Sequence, residues 1–250
     1  VSLFSNLGLL VFFKYSSFIG DNIEYLGSLI GYDLISPNMN GKLHSIILPV
    51  GISFYTFQTL SYTIDIYNDR VQKARNFIEF LCYVSAFPQL VAGPIVRYSY
   101  IRSQLERPTT NKNDIHEGIT LFILGLSKKV LIADSLAPLA DFIFDHSTVT
   151  SGVIILFGVF AYTLQIYFDF SGYSEMAVGL GKIFGLHFPQ NFNSPYKSNS
   201  MREFWKRWHM SLSMWFRDYV YIKMGGGRTD TWKRYRNIML TMGLCGIWHG

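Results

Sequence analysis

The chain has 250 residues, 49% of them hydrophobic and 17% aromatic, with charged residues at only 16%. Soluble domains carry about 25% charge, so this composition excludes intrinsic disorder and poorly suits an ordinary water-covered globule. The formal net charge is +5, and two cysteines, Cys82 and Cys245, exclude a disulfide framework and any CxxC motif.

Val1 is neither an initiator methionine nor part of a basic leader, so the sequence reads as a piece of a longer protein with no signal peptide in view. Val1 to Ile19 carries only Lys14 and is the first predicted span; Asp21, Glu24 and Asp33 follow as an acidic, external tip. Leu43 to Ile64 has no Asp, Glu, Lys or Arg over 22 residues. At 1.5 Å per residue such a run crosses a hydrocarbon core of about 30 Å. Arg70, Lys73 and Arg75 then mark a cytosolic loop, as do Arg97, Arg102, Arg107 and Lys112 further on.

Between those two basic loops, Phe77 to Val96 carries only Glu79 and contains Pro88 and the pair Gly93-Pro94. Basic flanks on both sides and an interrupted helix ladder predict a re-entrant hairpin, because broken backbone at membrane depth needs protein or a water-filled cavity around it. Lys128-Lys129 sits inside the largely apolar Ile115 to Phe144 region, and the tip around Asp141 and Asp145 is acidic and reads as external. Either that helix bends at Gly125 or the lysines line a polar cavity; the sequence allows both. Ser147 to Phe168 is a second uncharged run of 22 residues.

Asp169 and Glu175 flank Phe-Ser-Gly-Tyr-Ser at the end of that run, where capping of a new helix at the membrane surface explains them better than catalysis does. Gly181-x-x-x-Gly185 is a helix-packing signal, and Gln190 to Tyr196 reads as a polar loop whose amides suit either turns or a polar ligand. From Met201 on, Phe204, Trp205, Trp208, Leu212, Trp215, Phe216 and Tyr219 recur at spacings of three and four, with Arg202, Lys206 and Arg217 on other faces. That pattern predicts an interfacial helix lying along the headgroups. Lys197 to Arg236 holds ten basic residues against Glu203, Asp218 and Asp230, and Gly225-Gly226-Gly227 is a loop without the Lys-Ser/Thr of a P-loop. Asn237 to Gly250 is uncharged and carries His249 at its end.

The fold class is therefore an all-α polytopic integral membrane protein, read as a single membrane-embedded unit over 1–250 with a long basic cytosolic face. Neither GxSxG nor HExxH occurs, no metal site is expected, and nothing points to nucleic acid. An ionisable His249 within an uncharged run is costly and suggests function, since a neutral imidazole can take a proton from an alcohol or thiol. His209, beside Trp208 in an aromatic and basic belt, fits an interface residue as well as a catalyst.

Six strings carry a resemblance: Pro49 to Gln58 (PVGISFYTFQ), Phe87 to Val96 (FPQLVAGPIV), Asp169 to Ser174 (DFSGYS), Asn191 to Tyr196 (NFNSPY), Phe204 to Ser213 (FWKRWHMSLS) and Gly246 to Gly250 (GIWHG). The chain resembles the membrane-bound O-acyltransferase family, on the bacterial branch whose membrane subunits O-acetylate alginate and similar cell-surface polysaccharides. The resemblance implies a many-spanned fold in the inner membrane, with a tunnel reached by an acyl donor from the cytosol and by the acceptor from outside. It assigns the family's catalytic histidine to His249 and a second polar position to His209.

On this reading the donor substrate is acetyl-CoA or another acyl-CoA, with no bound cofactor. Arg202, Lys206, Arg207 and Arg217 are candidates to hold its phosphates, although positive-inside anchoring explains the same charges. The acceptor would be an extracytoplasmic polysaccharide, and an exported acetyltransferase protein and membrane lipids would be the partners. Family members are about twice as long, so later spans and the activity itself are expected to need the remainder. Two other readings fit the residues: a transporter or channel lined by the re-entrant hairpin, and a non-catalytic scaffold for an exported acetylating partner.

Overall fold

The computed structural model describes residues 1–91, 93–145 and 151–249; Ala92, Gly250 and residues 147–150 of the second uncharged run lie outside them. In chain order the helices are α1 (Ser2–Ile30), α2 (Pro37–His44), α3 (Ile52–Tyr67), α4 (Phe77–Val84), α5 (Phe87–Leu90) and α6 (Tyr98–Glu106). They continue with α7 (Lys112–Ser127), a π-helical turn (Lys128–Ala133), α8 (Asp134–Asp145), α9 (Gly152–Ile183), α10 (Met201–Trp205), α11 (Met210–Phe216), a second π turn (Arg217–Tyr221) and α12 (Thr231–His249). No strand occurs among the described residues.

Two helices, α1 and α9, are long and apolar enough to cross a membrane, and only 17% and 11% of their most apolar windows are buried. The core helix of a soluble protein would hide such a surface, whereas lipid covers it without cost. The uncharged run Leu43 to Ile64, by contrast, is not one span. Pro49 lacks an N–H to continue α2, and Gly51 takes a left-handed φ of 77° before α3 begins. The 16 residues of α3 reach about 24 Å, short of a hydrocarbon core. Thr56, Phe57, Gln58, Leu60, Ser61 and Asp65 are buried, which makes α3 part of the protein's own core.

The segment Phe77 to Val96 folds back on itself. Its helix α4 stops at Ser85, α5 is one turn, and the chain bends at Gly93 and runs without regular structure from Pro94 to α6. The two ends meet: Tyr98 Oη donates to Glu79, Tyr83 Oη donates to the Val96 carbonyl at 2.8 Å, and Lys73 and Arg102 border one surface hollow.

The α7–α8 stretch is helical throughout, and its π turn begins at Lys128-Lys129. Gly125 permits close contact with α9: a Cβ on Gly172 would stand 2.6 Å from the Gly125 carbonyl, and one on Gly118 2.6 Å from that of Gly179. Gly181-x-x-x-Gly185 packs against loop backbone rather than a second helix: a Cβ on Gly181 would stand 2.6 Å from the Leu186 carbonyl and one on Gly185, at a φ of 74°, 2.7 Å from that of Thr109. The expected cap at Asp169 to Ser174 is also corrected, because α9 runs straight through those residues. Lys128 pairs with Glu175, and Lys129 binds Asp169 at 2.5 Å. A charge at this depth needs an opposite charge on the neighbouring helix, and that requirement outweighed local capping preference.

A candidate acyl-transfer centre

The Trp-rich stretch from Met201 to Tyr221 is not one interfacial helix. It breaks at residues 206–209, where His209 takes a left-handed φ of 42°. A non-glycine residue in that region is uncommon and holds only where its surroundings enforce it. Beyond the break Leu212, Trp215, Phe216 and Tyr219 turn inward to join the core around α3, leaving Phe204, Trp205 and Trp208 half-buried. Trp215 donates Nε1–H to the Phe57 carbonyl at 3.1 Å and lies 4.2 Å from the Phe57 ring. Tyr219 Oη donates to Asp65 at 2.7 Å, and Arg97 joins the π turn to the returning segment through Asp218 at 2.7 Å.

His209 is 2% exposed. Its Nδ1 lies 3.3 Å from Asn191 Oδ1, an oxygen that also accepts from the Ser211 backbone N–H at 3.1 Å and the Ser211 hydroxyl at 2.9 Å. Ser211 Oγ in turn accepts from the Ile95 N–H at 2.9 Å. The Phe170 ring meets the imidazole edge-on at 4.7 Å, and Phe192 stacks at 6.4 Å. Burial first, and the charge of nearby His249 second, lower the His209 pKa to about 3, so the ring is neutral at physiological pH.

His249 is exposed at the end of α12, its ring 4.5 Å from that of Trp248. Trp248 is buried against Phe57 at 5.0 Å and Phe54 at 6.0 Å, which ties the end of α12 to α3. Lys14, the single charge in the first predicted span, donates to the Trp248 carbonyl and to that of His249 at 2.8 Å. Residues from all six strings thus assemble around the two histidines: Phe57, Ile95, Phe170, Asn191, His209 with Ser211, and Trp248 with His249.

Of the four candidate donor-binding cations, Arg202, Lys206 and Arg217 line one groove of about 380 Å³ with Trp205, Met210, Ser213 and Met214. Arg207 stands apart from it, bound to Glu203 at 2.8 Å and to the Asn193 carbonyl at 3.2 Å. On the other side of the histidine turn, a cavity of about 350 Å³ is bordered by Ser171, Ser174, Glu175, Gln190 and Asn191. There the Ser171 and Ser174 hydroxyls and Asn191 Nδ2 are buried and have no partner among the described residues. Sequence reasoning passed over Ser211 and Phe170 and treated Asn191 as a loop residue. Only its place in the resembling string Asn191 to Tyr196 singled it out.

Comparison with known proteins accords with this geometry. The family model described as MBOAT, membrane-bound O-acyltransferase family, matches residues 67–250. A probable alginate O-acetylase AlgI of Azotobacter vinelandii is 47% identical over 98% of this chain and 48% of its own length. A peptidoglycan O-acetyltransferase of Helicobacter pylori is 38% identical over 100% of this chain and 51% of its own. A teichoic acid D-alanyltransferase of Bacillus subtilis is 30% identical over 87% and 58%. The chain spans about half the length of the curated relatives it matches.

Proposed function

Because this chain belongs to the membrane-bound O-acyltransferase family, we propose that the whole protein moves an acyl group, acetyl by preference, from a cytosolic thioester to hydroxyls of a cell-envelope polysaccharide. The observation that carries this reading is the convergence of six separated strings on His209 and His249. His249 accepts the hydroxyl proton as the hydroxyl oxygen attacks the thioester carbonyl. The C–S bond breaks, and the leaving thiolate takes up the proton. A neutral imidazole suits that work, since it must gain and lose a proton in each cycle.

Coenzyme A carries phosphates that cannot enter a hydrocarbon core, whereas an acetyl group can. The groove of Arg202, Lys206 and Arg217 supplies charge for those phosphates and leaves only the neutral acyl end to pass inward. The protein then sits as a multi-pass protein in the inner membrane, with an exported acetyltransferase as its partner at the outer surface. Purified full-length protein should consume acetyl-CoA and release free thiol. Transport of a polar solute with no thiol release would replace this reading with a transporter.

The segment Phe77 to Val96 acts as a re-entrant hairpin in this arrangement. Its support is the meeting of its two ends and the shared hollow of Lys73 and Arg102. In a Cys-free background, external labelling should miss both Lys73→Cys and Arg102→Cys. Labelling of one alone would make the segment a true crossing.

A further inference from the structure

We infer that Asn191 is a positioning residue: its amide oxygen holds His209 as the Nδ1–H tautomer, so that the Nε2 lone pair is offered to the hydroxyl of the acyl acceptor. This rests on the acyl-transfer reading above for the identity of the hydroxyl, and on hydrogen-bond logic for the tautomer. A backbone N–H can only donate. The Asn191 atom 3.1 Å from the Ser211 N–H is therefore the amide oxygen, and the opposite flip would set two donors against each other. That same oxygen faces His209 Nδ1 at 3.3 Å, so Nδ1 must carry the hydrogen. The Ser211 hydroxyl cannot upset the assignment. It accepts from the Ile95 N–H, and its own hydrogen goes to the amide oxygen at 2.9 Å.

In a neutral imidazole with Nδ1 protonated, Nε2 is an acceptor and nothing else. His209 Nε2 is buried and has no partner among the described residues. Edge and face contacts from Phe170 and Phe192 keep the ring from turning to find one. Buried acceptors are nearly always satisfied, so a donor is expected from outside the described residues. An acetyl thioester group has no hydrogen to give, whereas a hydroxyl has. Of the two substrates, only the acceptor can complete this site. His249 remains free to remove the proton while His209 aligns the oxygen that bears it.

The test uses full-length protein with ¹⁵N-labelled histidine, His209 being assigned by loss of its signals in His209→Gln. Wild-type His209 should show a protonated Nδ1 and an unprotonated Nε2 across pH 5 to 8. Asn191→Leu, which cannot accept, should abolish that preference and lower kcat about 10- to 100-fold without raising the KM for acetyl-CoA, as expected for a misplaced reactant. Asn191→Asp keeps the acceptor oxygens and should retain both the tautomer and most of kcat.

A wild-type spectrum with Nε2 protonated overturns the inference, whatever the variants do. Asn191→Leu with altered tautomer but unchanged kcat overturns the positioning role. The predicted tautomer in a protein that releases no thiol supports Asn191's hold on His209 and counts instead against the acyl-transfer reading.

Discussion

The two histidines come from adjacent parts of one core and are held in opposite ways. His209 sits in a sharp break between short helices, 2% exposed, with its backbone in the left-handed region and its ring fixed by Asn191, Phe170 and Phe192. His249 is exposed at the end of a 19-residue helix, and its ring contact is with Trp248 beside it. A buried ring loses the proton it would otherwise share with water but gains a fixed direction for its lone pair. His249 is held through its backbone, where Lys14 donates to its carbonyl, and through Trp248 beside it. The contrast divides the work: alignment by one imidazole, proton transfer by the other.

Replacement of each histidine in the full-length protein breaks or sharpens that division. His249→Ala should lower O-acyl transfer by about 10² to 10⁴, the usual loss for a general base, with normal membrane insertion. His249→Gln keeps a polar group of similar size but accepts no proton at neutral pH, so it should be equally inactive. His209→Ala should lose less, because alignment is only one part of the barrier. Near-normal transfer by His249→Ala at matched expression would end the division and favour a scaffold for an exported enzyme.

Acid stability separates the two rings in a different way. The His209 pKa falls from 6.5 to about 3 on folding, mainly through burial. The unfolded chain therefore takes a proton below pH 6.5 that the folded protein refuses. Stability from this residue is complete above that value and declines as pH falls toward 3, by roughly 1.4 kcal/mol for each pH unit. Between pH 7 and 5, thermal or chemical unfolding of the wild type should lose more stability than that of His209→Gln. Equal losses in the two proteins would mean that His209 titrates normally and is not sealed from water.

Some of this was legible in the sequence, and the reasons differ residue by residue. The uncharged run before Phe168 gave a lipid-exposed helix, because a span is a local property of length and composition. Pro88 and Gly93-Pro94 gave the fold-back, since their effect on backbone is also local. Leu43 to Ile64 misled: absence of charge says nothing about continuity, and Pro49 and Gly51 divide it. Asp169 looked like a cap because its partner, Lys129, is 40 residues away, as Lys128 is 47 from Glu175. The aromatic spacing after Met201 suggested one helix, but the hydrogen bonds of Asn191 to Ser211 and His209 override that periodicity. Contacts of this kind leave no mark in spacing. The six strings pointed to the site only through their resemblance to a family.

The smallest expected effect concerns the charges beside the histidine turn, which sharpen the contrast by leaving both rings intact. Arg202 and Lys206 line the groove with Arg217, while Arg207 is already bound to Glu203 and Asn193. Arg217 is bound to its neighbour Asp218 at 2.6 Å, so neutralising it would disturb the π turn as well. The double change Arg202→Gln with Lys206→Gln is therefore the cleaner probe. Exposed charge pairs contribute about 0.2 to 1 kcal/mol each, so with two charges removed the KM for acetyl-CoA should rise roughly two- to thirtyfold with kcat unchanged. Arg207→Gln should leave that KM where it is, because its guanidinium is spent on Glu203. Rising salt should weaken donor binding by the wild type and matter less for the double variant, as expected where exposed charge attracts phosphate. If the double variant instead lowers the amount of protein in the membrane with KM unaltered, these cations orient the chain and the donor is held elsewhere.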